Sequence, residues 1–239
     1  MTSPTLLAFD TATDVCSVAL LRDGQVIERA ECVGQRHSER VLPMAQALLV
    51  DAGVRRSELD AVAFGAGPGS FTGLRIACGV AQGLAYGIDR PVLPVVNLAA
   101  LALDAVERAP AAQRVAALVD ARMNEIYWAV YERCDADLKE VIGPSLSPAL
   151  GLPAMLGPSA ADTLAGEALD VFADALAAVP ACQRVPQARA SARTIALLAA
   201  RAHARGEAVP PAQAMPVYVR DRVALTIDER NAVRSAAVA

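Results

Sequence analysis

Residues 60–87 read DAVAFGAGPGSFTGLRIACGVAQGLAYG. Ala61–Phe64 is a short apolar run suited to a buried strand, Gly65–Ser70 is a tight loop, and a helix is expected over Thr72–Tyr86. Gly65, Gly67 and Gly69 let the backbone take positive φ and pack closely. A loop that opens into a helix N-terminus points free amides outward, where an anion is favoured. This is not a Walker loop, which ends in Gly-Lys-Ser/Thr; Phe71-Thr72-Gly73 stands here, with no lysine nearby. Further on, Gly79, Gly83 and Gly87 recur every fourth residue and so share one helix face. Each helical glycine costs about 1 kcal/mol against alanine, so a stripe of three marks a surface that another backbone approaches. Two readings stand side by side: packing against a helix of the same chain, or a docking face for a second protein.

The 239 residues suffice for two lobes, and 54% hydrophobic content argues against disorder for most of the chain. A net charge of −4 argues against binding nucleic acid through bulk positive charge and leaves only a local arginine patch, such as Arg220 with Arg222. Cys16, Cys32, Cys78, Cys134 and Cys182 show neither metal-ligand nor redox spacing, so buried free thiols in a reducing compartment are expected. The first ten residues carry no basic leader, and no apolar run reaches membrane-spanning length. The expectation is a cytoplasmic protein without a membrane contact.

Outside the glycine loop, strands are expected at Thr5–Phe9, Val15–Leu21 and Gln25–Glu31, the last two joined by Arg22-Asp23-Gly24. Asp10-Thr11-Ala12-Thr13-Asp14 lies between the first two, an ordinary turn or a phosphate or metal-water loop at a strand end. Ser38 is read as the cap of a helix to Ala52, with Val41, Leu42, Ala45, Leu48 and Leu49 on one face. His37, just ahead of that cap, is read as a capping or surface residue. A strand at Pro91–Val96 and a helix capped by Asn97 complete a first lobe, residues 1–111. Val115–Val119 then restarts the pattern, with Asp120-Ala121-Arg122-Met123-Asn124-Glu125 as a polar loop before a strand at Ile126–Glu132. Strand, Asp loop, strand thus occurs twice, which predicts a duplicated module with Asp10 and Asp120 facing each other across a cleft. Residues 143–185 give no clear elements; Ala190–Arg205 reads as a helix, Tyr218 as anchored, Arg220 and Arg222 as a solvated tail, and residues beyond about Asp228 as disordered.

Phe9-Asp10-Thr11-Ala12-Thr13, His37-Ser38-Glu39, Gly65–Gly73 with Leu74-Arg75-Ile76-Ala77, and Asp120-Ala121-Arg122 resemble the bacterial TsaB (YeaZ) family. The resemblance covers roughly residues 5–132 and the Pro216-Val217-Tyr218 tail, and Gly-Pro-Gly-Ser-Phe-Thr-Gly-Leu-Arg is its most specific part. It implies an α/β chain of the actin-like ATPase (ASKHA) fold, with two lobes of βββαβα type and residues 112–239 as the smaller second lobe and tail. It also implies a partner subunit in tRNA threonylcarbamoyladenosine biosynthesis, working with a catalytic relative, TsaD, and an ATPase, TsaE. Together these move a threonylcarbamoyl group to N6 of adenosine 37 in tRNAs that read codons beginning with A.

The catalytic relative is expected to carry a His-x-x-x-His metal pair where this chain has Pro94–Leu101, without histidine, and metal sites need His, Cys or carboxylate ligands. The first reading is therefore a non-catalytic scaffold that docks its two N-terminal helices on the catalytic subunit, through Ala45, Leu48, Leu49, Arg75, Ile76, Gly79, Gln82, Gly83 and Tyr86. Alone, the same face is expected to pair as a self-dimer. Asp10, Thr11, Gly67, Gly69, Ser70, Gly73 and Asp120 then form a relict phosphate cleft. No tightly bound cofactor and no metal are expected, with a nucleotide at a subunit interface left open, and tRNA is met through the complex. The alternative is an active nucleotide-dependent phospho- or carbamoyltransferase of the same fold, using Asp10 and Asp120 around a magnesium nucleotide. A peptidase reading carries little weight, because His37 and His203 are the only histidines and neither lies in a nucleophile or metal motif.

Overall fold

A computed structural model describes residues 3–135, 137–157, 160–180 and 183–220. In chain order the first half is β1 (Leu6–Asp10), β2 (Val15–Arg22), β3 (Gln25–Cys32), α1 (His37–Asp51), β4 (Ala61–Gly67), α2 (Phe71–Gly87), β5 (Val92–Val96) and α3 (Asn97–Arg108). The second half is β6 (Arg114–Asp120), β7 (Glu125–Cys134), β8 (Asp137–Pro148), α4 (Leu152–Leu156), β9 (Thr163–Ala165), α5 (Ala168–Val171), α6 (Ala173–Leu176), β10 (Gln183–Val185) and α7 (Ala192–Ala204).

The two sheets have one plan. The first runs β3-β2-β1-β4-β5 and the second β10-β9-β6-β7-β8. In each, the opening three strands are antiparallel and the last two add in parallel, β4 beside β1 and β9 beside β6. This is the duplicated βββαβα lobe of the actin-like ATPase fold. The strand β8, where sequence offered no element before Gly143 and none clear after it, supplies the third strand of the repeat. Its signal is weak because it is an edge strand, half exposed, with register breaks against β7.

Strand alternation decides which helix covers which face. Leu7, Phe9, Val62 and Phe64 point to one side of the first sheet, where α1 and α2 lie. Leu6, Ala8, Ala61 and Ala63 point to the other, where Ala192, Ile195, Ala196 and Ala199 of α7 pack on them. In the second sheet Val115, Ala117, Ala129 and Tyr131 meet α3, while Ala116, Leu118, Trp128 and Val130 meet the short helices α4–α6. The lobes therefore exchange helices: α3 follows the first sheet and packs on the second, and α7 follows the second and packs on the first. Ala109–Ala112 separates the sheets, but the chain from Ala192 onward returns to the first.

Some local readings change. Helix α1 starts at His37 with Arg36 before it and no side-chain cap, so Ser38 is inside the helix, and His37 is buried rather than at the surface. Cys16 and Cys78 are buried as expected, but Cys32 and Cys134 are exposed, each at the end of a strand; Cys182 lies outside the described residues. Arg222 and the tail beyond Asp228 also lie outside them.

Candidate functional site

The glycine loop is packed against the end of β1. Thr11 is fully buried, and its hydroxyl donates to the Gly73 carbonyl at 2.7 Å. A Cβ on Gly73 would come within 1.8 Å of the Thr11 carbonyl oxygen, and one on Gly69 within 2.7 Å of the Ala12 methyl. These two glycines let the start of α2 lie on the Thr11-Ala12 backbone. Three amides of this segment are already paired. Ser70 N–H donates to Ala12 O at 2.8 Å, Gly73 N–H to the Ser70 hydroxyl at 3.3 Å, and Gly67 N–H to Asn97 Oδ1 at 2.7 Å. An anion that used the Gly67, Ser70 or Gly73 amide would have to displace those partners.

Asn97 is the residue that sequence reading misplaced. Read as a helix cap, it makes no cap bond; its amide is buried between two loops. Nδ2 donates to Asp10 Oδ1 at 3.0 Å while Oδ1 holds Gly67. Gly65 makes room, since a Cβ there would sit 2.7 Å from Asp10 Oδ1 and 2.8 Å from Asn97 Nδ2. The only sequence signal was a polar residue directly after β5, the strand beside β4. Asp10 also accepts from Ala12 N–H at 3.1 Å. Burial pushes its carboxyl up to about 6, against these hydrogen bonds, and the charge of Glu28 adds to the rise.

The second Asp loop is built differently. Asp120 accepts from the backbone and the guanidinium of Arg122, at 2.8 and 3.0 Å. Asp10 and Asp120 thus each bond within their own lobe. Beside Asp120, burial also raises the Glu167 carboxyl. Arg122, Met123 and Asn124 take φ of 64°, 57° and 58°, three successive left-handed residues without a glycine. Each such residue costs on the order of 1 kcal/mol, less for asparagine. Ala121 N–H to Glu125 O, Glu125 N–H to Arg122 O and Ala149 N–H to Asn124 O hold the turn at 2.9 to 3.0 Å.

The outer face of α2 is open. Leu74, Ala77, Cys78, Ala81 and Ala85 are buried, whereas among the described residues a Cβ on Gly79, Gly83 or Gly87 would meet nothing within 4 Å. The stripe therefore packs on no other helix among the described residues. Tyr86 beside it is 82% exposed. Ile76 is half-buried against the core, Gln82 donates to the Ala214 carbonyl, and Arg75 lies over the Phe71 ring at 3.8 Å. On α1 the expected contact residues are corrected: Ala45, Leu48 and Leu49 are core residues, turned toward the sheet, and cannot touch a partner. The exposed side presents Leu42, 52% exposed, Gln46 and Val50, 65% exposed. Periodicity located an apolar face, and the sheet uses it except at Leu42.

The family model for TsaD, tRNA N6-adenosine threonylcarbamoyltransferase, matches residues 30–224. The tRNA threonylcarbamoyladenosine biosynthesis protein TsaB of Haemophilus influenzae is 47% identical over 142 residues, 59% of this chain and 60% of that protein. TsaB of Escherichia coli is 48% identical over 128 residues, 54% of this chain and 55% of that protein. The chain thus matches little more than half the length of these relatives. Among solved structures, YeaZ from Pseudomonas aeruginosa superposes with a TM-score of 0.80 at 41% identity, covering 90% of this chain and 99% of that one. A second Pseudomonas aeruginosa structure, described as an uncharacterised protein with similarity to peptidase YeaZ, gives 0.82 at 41% identity over 91% and 100%.

Proposed function

We propose, from the premise that this chain belongs to the TsaB (YeaZ) family, that it serves tRNA threonylcarbamoyladenosine biosynthesis as a docking subunit and not as the catalyst. The observation that carries this reading is the open glycine stripe of α2, Gly79, Gly83 and Gly87, on a helix whose other face is in the core. A helix notched in this way lets a second helix approach backbone to backbone. Leu42 and Val50 of α1 and Tyr86 of α2 supply exposed apolar surface on the same two helices. The occupant is the matching helix pair of a TsaD-like catalytic subunit, and in its absence a second copy of this chain.

The state of the glycine loop supports the non-catalytic half of the proposal. The Gly67, Ser70 and Gly73 amides are paired with Asn97, Ala12 and the Ser70 hydroxyl, and the space beside the loop glycines is occupied by Asp10, Thr11, Ala12, Asn97 and Val217. In this reading Asp10, Thr11, Gly67, Gly69, Ser70, Gly73 and Asp120 are a relict phosphate cleft kept for packing. The catalytic subunit transfers the threonylcarbamoyl group to N6 of adenosine 37, a TsaE-like ATPase acts on the complex, and tRNA is met through it. Arg220, expected in a solvated tail with a local arginine patch as the other possibility, is instead paired with Glu125 at 2.7 Å, its side chain 14% exposed. Among the described residues no helix is long and apolar enough to cross a membrane, which is compatible with work in the cytoplasm.

Gly83→Leu tests the docking face. Wild type is expected to co-elute with the TsaD-like subunit of the same organism, and the variant to fold but not to co-elute. Undiminished co-elution of the variant would place docking elsewhere.

A further inference from the structure

The chain after α7 is bound to both lobes in turn. Val209 pairs with Val92 through two backbone bonds of 2.8 and 2.9 Å, and Ala214, buried, accepts from Gln82. Val217 N–H donates to Ala66 O at 2.7 Å, and its own carbonyl lies where a side chain on Gly67 would be. Tyr218 accepts from Arg75 Nε at 3.0 Å, with its ring 5.6 Å from that of Phe71 at the start of α2. Two residues later Arg220 has crossed to the second lobe. It donates to the Ala121 carbonyl at 2.9 Å, pairs with Glu125 at 2.7 Å and reaches Met123 Sδ at 3.1 Å, its side chain only 14% exposed.

Arg220 thus grips the left-handed turn from both sides: Ala121 before it, Glu125 after it, Met123 within it. A turn of non-glycine residues in this conformation persists only where its surroundings hold it. The strap that delivers Arg220 is held by these few polar and ring contacts with little burial, since Met215, Val217 and Tyr218 are exposed and only Ala214 is buried in the core. Segments of that kind open locally well before the fold does.

We propose that residues 214–220 are a detachable strap that couples the first turn of α2 to the Arg122–Asn124 turn of the second lobe. With Arg220 seated, the turn keeps its left-handed form; with Arg220 released, it relaxes. Because Tyr218 rests on Phe71 and Arg75, a molecule seated on that end of α2 biases the strap, and by linkage the state of the turn biases its binding. The identity of that molecule rests on the docking reading given above; the coupling of strap to turn does not.

Hydrogen exchange on the full chain tests it, followed at the amides of Ala121, Arg122 and Glu125. Arg220→Gln is expected to speed their exchange by about tenfold, the factor carried by one charge-assisted hydrogen bond, with Arg220→Lys in between and the amides of β1 and β4 unchanged. Tyr218→Ala, which does not touch the turn, is expected to act in the same direction. Unchanged turn exchange in either Arg220→Gln or Tyr218→Ala overturns the proposal. Adding the TsaD-like subunit to wild type is expected to shift turn protection; co-elution with no shift overturns the coupling while leaving docking intact. Failure to co-elute refutes docking and leaves the exchange of the isolated chain as the test of the strap.

Discussion

Replacing Asp10 by asparagine isolates the price of one buried charge. Burial raises the Asp10 carboxyl from 3.8 to about 6, so the native chain holds a proton that the unfolded chain has given up. Below 3.8 both states are protonated and there is no penalty. Stability then falls as pH rises, and the full penalty is reached above about 6. At about 1.4 kcal/mol per pKa unit, it amounts to about 3 kcal/mol. Asparagine keeps an oxygen for Asn97 Nδ2 and the Ala12 amide but cannot ionise. Its new amide hydrogens shift the stability by a pH-independent amount, so the informative quantity is the difference between variant and wild type measured at several pH values. Urea denaturation from about pH 4 to pH 7 is expected to show that difference moving in favour of Asp10→Asn by about 2–3 kcal/mol. Subtraction cancels the other carboxylates to first order. A difference that stays flat across the range would refute the assignment of a desolvated charge at this position.

Asn97→Ala leaves the Gly67 amide and Asp10 Oδ1 without their buried partner, and urea denaturation is expected to show a loss of about 2–4 kcal/mol. Less than about 1 kcal/mol would mean that water replaces the amide freely. Gly73→Ala and Gly79→Ala should part in sign. The first drives a methyl into the Thr11 backbone and lowers stability by about 1–3 kcal/mol; the second enters open space and raises it by up to about 1 kcal/mol through helix propensity. Thermal melts of the pair check this, and equal shifts would contradict the packing described. Titration of the isolated chain with Mg-ATP in a calorimeter is expected to give no saturable heat, because the Gly67, Ser70 and Gly73 amides are engaged and the loop glycines are packed; tight binding would favour the active transferase reading.

Local rules sufficed for the repeated strand, Asp loop, strand opening of each half and for the site of the glycine loop, but not for β8, β9 and β10. The unbroken apolar runs LLAF and AVAF mark strands buried on both faces, and glycines at two-residue spacing mark a backbone that something approaches. What approaches was beyond local rules. The neighbour turned out to be Thr11 and Ala12, some sixty residues earlier, with Asn97 thirty residues later, and these meet only because β1, β4 and β5 lie side by side. The same limit governed the helices. Periodicity in α1 showed an apolar stripe at Ala45, Leu48 and Leu49 but not whether a partner or the chain's own sheet would cover it, and the sheet does. For α2 the glycine stripe gave no direction at all until the opposite face was seen in the core. Burial is a property of the assembled layers, so the choice between a core face and an open one was made by tertiary packing.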